Sequence, residues 1–462
     1  MRRGLVLWLV LFGAYAATLG AHASDGHRYT AAEAHLLLQA DSIAHDGDID
    51  LLNQYRQRAW RAWYSGTLRP PSGLTNGRLV EPPAAGFPLL IAPAMAIGGP
   101  TLVQLWCAAL VALGFVLASL LGRELVPDPW GWWAALVVGL SPPVLAGATR
   151  ISPELVGGTL LAGAALLALR ARERVTRRAT FGCAALLAFA PWLALELVAP
   201  ALVIAAALWR WLRRGVRGTA GIIGLEIVLT SVVLYVTINE RLYGGYTPYA
   251  AGPAGGPTRL HDPGDVLARL PRIVAVFVDR DVGLLRWAPF LGLAFLALWL
   301  LWRSRRDRLA AAIPDQADVE AAALLLSLVC AAVIATEVIA APVLHGPWFA
   351  ARHALPALPA AAALCAWALR FAPRAGAALA AVTLAGSVWL LIAIRADSST
   401  TLAPAHGPLP WGGLQNVVFA RFGDTDTTGE IVWLGIAALA VGAFVWAGWR
   451  RTDPRGRSEL HH

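Results

Sequence analysis

The sequence predicts an all-α integral membrane protein that crosses the bilayer about twelve times, within a range of 11 to 13. Hydrophobic residues make up 57% of the 462-residue chain, only 15% of its residues are charged, and long apolar segments recur along its length. A water-soluble domain carries about 25% charged residues, and no soluble fold can bury this much apolar sequence. We therefore expect lipid to be the solvent for most of the chain.

Twelve hydrophobic segments account for the predicted spans. A helix needs about 20 apolar residues to cross a bilayer, and two segments fall short because Pro191 and Pro200 interrupt one apolar run. An even number of spans places both termini on one side of the membrane. The predicted spans are 4–22, 101–122, 130–147, 153–170, 179–192, 196–212, 219–238, 285–302, 320–341, 354–370, 375–394 and 430–449.

The arginines predict which side that is. All 38 basic residues are Arg, and more than half of them lie in short loops next to span ends, in every second loop. Such loops face the cytoplasm, so we expect both termini there and the long loops 23–100, 239–284 and 395–429 outside. The arginine-rich turn 170–178 lies where an orientation signal belongs, so the net charge of +9 does not indicate a nucleic-acid partner.

The chain divides accordingly into five parts. The first helix has an alternative interpretation as a signal peptide cleaved near Ala23, but its apolar stretch is long for one, and we expect it to be retained. The parts are a first transmembrane helix (1–22), an extracytoplasmic loop with amphipathic helices (23–100), a polytopic core (101–394), a second extracytoplasmic loop (395–429), and a last transmembrane helix with a basic cytoplasmic tail (430–462).

The loop 23–100 is polar, acidic and aromatic. Its sequence predicts a helix over 31–45 and a turn at Asp46-Gly47-Asp48, and it predicts that the apolar stretch 86–97 lies along the membrane surface. The aspartates do not form a calcium loop of the EF-hand type, because its glycine and glutamate positions hold Leu51 and Gln57. We predict no metal site and no disulfide.

Six stretches, in this order, resemble the membrane glycosyltransferases of the C fold superfamily, relatives of the protein mannosyltransferases and of the lipid A aminoarabinose transferase. The resemblance covers about 23–360 and depends on the shared order and sidedness of the stretches. They are ADSIAHDGDIDLLNQY (40–55), EPPAAGFPLLIAPAMAIGG (81–99), SPPVLAGATRISPE (141–154), NERLYGGYTPY (239–249), DRDVGLLRWAP (279–289) and HGPWFAARHALPALP (345–359).

The resemblance implies an enzyme of the bacterial plasma membrane whose donor is a sugar on polyprenyl phosphate or diphosphate, without a further cofactor. The acceptor would be a glycan, a lipid or a protein of the cell envelope. A carboxylate must accept the proton of the acceptor hydroxyl, and the resemblance places Ala32 and Glu33 on the family's acidic pair. The first acid of that pair is absent here, so Glu33 and Asp25, directly after the first span, are the two candidate bases.

Such an enzyme must also bind the donor phosphate and line a substrate site, and the chain offers residues of suitable chemistry at the outer ends of the spans. Arg352 is the first phosphate candidate, because a guanidinium binds two phosphate oxygens in a fork. Arg280 and Arg286 are further candidates. The substrate-lining candidates are His35, Glu154, Trp348, His353 and Tyr249.

Two other classes of function remain open from the sequence. The missing first acid also suits a non-catalytic membrane protein of the same fold. A transporter or flippase of lipid-linked envelope components is the third alternative, although such proteins place charged residues near the bilayer midplane, whereas here the charges cluster at span ends.

Overall fold

The computed structural model describes residues 2–22, 27–74, 77–82, 85–174, 176–214, 219–251, 263–307, 313–340, 350–396, 413, 417–423 and 427–449. All regular structure within these ranges is helical, which confirms the predicted all-α class. The α-helices are α1 (Arg2–Ala16), α2 (Ala31–His45), α3 (Leu52–Gln57), α4 (Gly86–Arg123), α5 (Trp130–Gly139), α6 (Pro142–Ala148), α7 (Pro153–Glu173), α8 (Arg177–Leu193), α9 (Val198–Arg214), α10 (Thr219–Tyr243), α11 (Pro263–Arg269), α12 (Arg272–Val278), α13 (Leu284–Trp287), α14 (Leu293–Arg306), α15 (Pro314–Ala340), α16 (Leu358–Phe371), α17 (Pro373–Ala396) and α18 (Thr427–Trp449).

The helices have the lengths and compositions of a polytopic membrane protein. Eight helical segments in the described ranges are long and apolar enough to cross a bilayer, and a ninth is obtained if the bent pair α5 and α6 counts as one span. Three further apolar helices, α1, α8 and α14, have only 15, 17 and 14 residues. With those three, each of the twelve predicted spans corresponds to a helix or a bent helix pair.

Several predicted span boundaries differ from the structure, two of them where the helix is interrupted within the predicted span. The span predicted at 4–22 ends as a helix at Ala16, and the turn that follows is held by a bond from Thr18 Oγ1 to the carbonyl oxygen of Tyr15. The span predicted at 285–302 begins only at Leu293. Proline at 289 has no amide hydrogen to continue the helix α13, so a short 3-10 segment separates the two helices.

The apolar stretch 86–97 joins the following span in one kinked helix. Gly98 and Gly99 depart from helical geometry, and Gly99 has a φ of +61°, a conformation that residues with a Cβ rarely adopt. The predicted domain boundary at residue 100 falls directly after this kink. The stretch is therefore helical as well as apolar, and its position along the membrane surface stays a prediction.

Helices α4 and α5 approach each other through glycines. A Cβ at Gly131 would lie 2.7 Å from the carbonyl oxygen of Ser119, and Gly122 lies directly opposite. Small residues at such crossings let helix backbones pack closely, which is a main source of helix association in lipid.

We expect Gly131→Ala to destabilise the protein by about 1–3 kcal/mol, because backbone atoms cannot yield to the added methyl group as a flexible side chain would. Thermal unfolding of the purified protein in detergent measures this. The matched control is Gly435→Ala in α18, where a Cβ meets no atom within 4 Å. Equal stability of the two variants would contradict the close approach.

The helix ends that matter for function meet at one end of the bundle, which we call the outer end. α7 and α16 begin there and α10 and α15 end there. The 3-10 segment Ala350–Ala357 packs against both α7 and α15. Arg395, in the last turn of α17, donates to the carbonyl oxygen of Ala17 just after α1. The sequence predicts that this end faces outward.

Candidate active site

The first helix of the large loop, α2, begins with a capping box. The side chain of Thr30 accepts a hydrogen bond from the amide of Glu33, and the carboxylate of Glu33 accepts one from the amide of Thr30 at 2.7 Å. This pairing satisfies amides that a helix N-terminus otherwise leaves without partners. It also fixes the direction of the Glu33 side chain.

Glu33 is buried against the loop between α6 and α7. Its side chain is 4% exposed and lies 3.3 Å from the guanidinium of Arg150, which is 1% exposed. Its other oxygen accepts from the amide of Ile151 at 3.1 Å. Burial lowers the pKa of Arg150, and the neighbouring Glu33 carboxylate opposes this by favouring the charged form. The ion pair anchors the large loop to the transmembrane core.

A second buried carboxylate holds the loop together. Glu81 accepts from the hydroxyl of Tyr55 at 2.5 Å and lies 2.9 Å from Nδ1 of His35. Burial, followed by the hydrogen bond and the charge of Glu81, raises the pKa of Tyr55, so the phenol remains a donor. His35, predicted to line the substrate site, therefore links α2 to α3 and to the segment before α4.

A charged cluster lies at the outer end, around the start of α7. Glu154 is in the first turn of α7, and its Oε1 lies 3.5 Å from Nε of Arg352 and 3.9 Å from Nδ1 of His353. The Arg352 side chain is 43% exposed, whereas that of Glu154 is only 10% exposed. Oε2 of Glu154 is buried and has no hydrogen-bond partner among the described residues.

Glycines in α7 make this arrangement possible. A Cβ at Gly158 would lie 3.0 Å from the carbonyl oxygen of Pro356, and one at Gly157 would lie 2.7 Å from the side chain of Leu197. Without these side chains, α7 packs closely against the segment that carries Arg352 and against the turn that carries Glu196. The cluster therefore depends on contacts between helices that are far apart in the sequence.

Two further acids lie beside the cluster. Glu196 accepts a hydrogen bond from the hydroxyl of Tyr249 at 3.2 Å, and Tyr249 is 47% exposed. Glu337, near the end of α15, is 2% exposed, interacts electrostatically with Arg352 and Glu154, and has one buried oxygen without a partner in the described part of the chain. Neither acid was a predicted site residue. An ionisable residue inside an apolar span is the signal that points to them.

The other two predicted phosphate-binding arginines, Arg280 and Arg286, lie outside the charged cluster, around the turn that follows α12. The carboxylate of Asp279 accepts hydrogen bonds from the amides of Asp281, Val282 and Phe422 and so organises the turn after α12. Arg286 is buried there, donates to the carbonyl oxygen of Asp281 at 3.2 Å and stacks on Trp287. The backbone amide of Arg280 binds the carbonyl oxygen of Ala420.

An apolar groove is lined by residues that lie close to the charged cluster along the chain. Its volume is about 390 Å³, and it runs between α12, α14, α15 and α16. Ile339 and Ala354 line it, and these residues closely follow Glu337 and His353 in the sequence. A wall suited to a hydrocarbon chain thus includes a residue only two positions from Arg352, whose guanidinium suits a phosphate.

The structure brings together four of the ten predicted site residues. These are Arg352, Glu154, His353 and Tyr249. Glu33, His35, Arg280 and Arg286 lie in other contacts, and Asp25 and Trp348 lie outside the described residues. Arg150 was not predicted. It is the arginine within the stretch 141–154, between two apolar spans, and this position is the sequence feature that could have identified it. Among the described residues, no group of three or more His, Cys, Asp or Glu has the arrangement of a metal site.

The fold is similar to that of a known polytopic membrane protein of solved structure. It is similar to the crystal structure of ArnT, an aminoarabinose transferase, from Cupriavidus metallidurans bound to undecaprenyl phosphate, with a TM-score of 0.50 and 14% identity over 87% of this chain and 73% of that one. The apo structure of the same ArnT gives the same score and identity over 86% and 73%. Neither a family profile nor a curated protein sequence matches the chain.

Proposed function

We propose that this protein is a glycosyltransferase of the bacterial plasma membrane that transfers a sugar from a polyprenyl-phosphate or diphosphate donor to a cell-envelope acceptor at the outer face. One observation carries the proposal: Arg352 and Glu154 lie 3.5 Å apart, and Ala354, two residues after Arg352, lines an apolar groove. That arrangement suits a ligand with a phosphate head and a long hydrocarbon tail. The similar ArnT structure, which contains undecaprenyl phosphate, supports it.

Arg352 would bind the donor phosphate. Its side chain is 43% exposed, and its contacts with Glu154 and His353 in the described part of the chain are made by Nε, so its terminal amino groups would form a fork with phosphate oxygens. Ala354, two residues further along the chain, lines the groove that would hold the isoprenoid tail. As the bond between the sugar and the phosphate oxygen breaks, the phosphate leaves with the electron pair, and Arg352 would stabilise its charge.

Glu154 would act as the base. The acceptor hydroxyl attacks the anomeric carbon, and a carboxylate must take its proton. Oε2 of Glu154 is buried without a partner among the described residues, so it has a lone pair for that proton. Glu33 already accepts bonds from Thr30, Arg150 and Ile151, and we therefore propose a positioning role for it. Asp25 remains the alternative base.

The experiment is a transfer assay with purified protein in lipid vesicles and radiolabelled polyprenyl-phosphate sugars. We expect Arg352→Gln to raise the KM for the donor by roughly 10- to 100-fold, since a hydrogen bond to a charged group contributes about 1.5–3 kcal/mol. Arg241→Gln, an exposed arginine in the last turn of α10, is the matched control and should leave the KM unchanged.

The sidedness of the donor tests the proposed orientation, with both termini in the cytoplasm. Transfer is expected only when the donor is in the leaflet at the outer end. An unchanged KM in Arg352→Gln, or transfer from the other leaflet alone, would refute the site proposed here.

A non-catalytic protein of the same fold is the second candidate, and Ala32 at the position of the first family acid favours it. Such a protein would bind polyprenyl phosphate, with weaker binding in Arg352→Gln, and would transfer no sugar from any donor. A flippase would move the labelled lipid between leaflets in the same vesicles without transfer.

A further inference from the structure

Another large cavity lies at the opposite end of the bundle from Glu154 and Arg352. Its volume is about 880 Å³, and it is formed by the last turns of α7 and α14, one face of α9 and the first half of α15. These helix ends adjoin the short arginine-rich loops, which are predicted to be cytoplasmic. The cavity therefore lies at the depth of the head groups of that leaflet.

The rim of this cavity is positively charged. Arg172, Arg210 and Arg305 line it, and Glu320 is the one acid among its lining residues in the described chain. Arg210 is exposed and points its charge to the rim from the last turns of α9. Nε of Arg305 lies 4.0 Å from Oε2 of Glu320, so this acid offsets only part of the positive charge.

Arg172 is held in place at the rim. It forms an ion pair with Asp318, donates to the carbonyl oxygen of Ala317 at 3.4 Å, and lies 5.9 Å from the ring centre of Trp211. A guanidinium fixed in this way loses little conformational freedom when it binds an anion. Trp211 is itself of a type common at the boundary between head groups and hydrocarbon.

The inner wall of the cavity is apolar. It consists of side chains from the facing surfaces of α9 and α15, and one of them, Leu328, is 47% exposed. A wall of this kind next to the hydrocarbon layer is complementary to an acyl chain. The wall residues are Val203, Ala206, Ala207, Leu324, Leu325 and Leu328.

We propose that this cavity binds an anionic phospholipid, with its phosphate at Arg172, Arg210 and Arg305 and an acyl chain between α9 and α15. Basic pockets between transmembrane helices suit such head groups. A free phosphate would satisfy the rim but would leave the apolar wall and most of the volume without contacts. A phospholipid would contact both the charged rim and the apolar wall. Its binding is independent of the proposed transfer chemistry.

The test measures lipid binding to the full chain by native mass spectrometry in detergent. Phosphatidylglycerol and phosphatidylcholine with identical acyl chains are compared, with inorganic phosphate as a third probe. We expect wild type to prefer phosphatidylglycerol, and Arg210→Gln to weaken that binding about fivefold, the fold-change for about 1 kcal/mol per arginine. Adding Arg305→Gln is expected to weaken it about fivefold again.

Arg303→Gln is the matched control, because Arg303 is on the same helix as Arg305, is 60% exposed and does not line the cavity. It should bind phosphatidylglycerol as wild type does. Equal binding of the two lipids, displacement of the lipid by millimolar phosphate, or an unchanged preference in Arg210→Gln would each overturn the proposal. Because Arg210 is exposed, its replacement does not threaten folding.

Discussion

Glu154→Gln is expected to lower the rate of sugar transfer by roughly 10²- to 10⁴-fold at saturating donor, the usual contribution of a general base. Glutamine has nearly the same shape as glutamate but cannot take a proton from the acceptor hydroxyl. The KM for the donor should change much less than the rate, because Arg352 keeps its place. Single-turnover transfer with radiolabelled donor measures the rate separately from binding.

The matched control for this variant is Glu173→Gln. Glu173 is on the same helix at its other end and is exposed, so its replacement should leave transfer unchanged. If Glu154→Gln transfers sugar at the wild-type rate, the base lies elsewhere. Asp25→Asn then decides whether the acid directly after the first span takes that role.

Arg150→Met is expected to destabilise the protein by about 3–5 kcal/mol, because it leaves the carboxylate of Glu33 buried beside no cation. The pair is almost completely enclosed, with side chains 1% and 4% exposed, so water cannot replace the lost partner. Thermal unfolding in detergent measures the loss. The double variant Glu33→Gln, Arg150→Met removes both charges and should recover most of the stability.

Arg123→Met provides the comparison for an exposed pair. Arg123 lies 2.9 Å from Asp128, but the two side chains are 41% and 36% exposed, and exposed ion pairs contribute only about 0–1 kcal/mol. If Arg150→Met unfolds at the same temperature as Arg123→Met, Glu33 is not held by the proposed anchor. A role for Glu33 as the base would then regain support.

The membrane class and the order of the helices were predictable from sequence because hydrophobicity is a local property. Every predicted span corresponds to a helix or a bent helix pair, including the doubtful pair around Pro191 and Pro200. The boundaries were harder. The buried turn organised by Asp279 interrupts an apolar run near residue 285 that hydrophobicity alone predicts as continuous.

The candidate site was only partly predictable. Glu154 and Arg352 were singled out separately, each from its own stretch, and nothing local indicated that they lie together. Their contact depends on Gly158, which allows α7 to approach the segment before α16. Glu33 was expected to be one of two candidate bases, and its pairing with Arg150, 117 residues away, changes that expectation.

Composition and the spacing of apolar runs are enough to establish that this is a multi-helix membrane protein, since each helix forms its backbone hydrogen bonds within itself. The distribution of arginine predicts the orientation, since each loop carries its own charge. The two carboxylates differ in their hydrogen bonds: both oxygens of Glu33 accept one, whereas Oε2 of Glu154 has no partner among the described residues. This difference depends on distances between residues that are more than 100 positions apart. Those distances result from helix packing around glycines, and they distinguish the anchored Glu33 from Glu154 in the charged cluster.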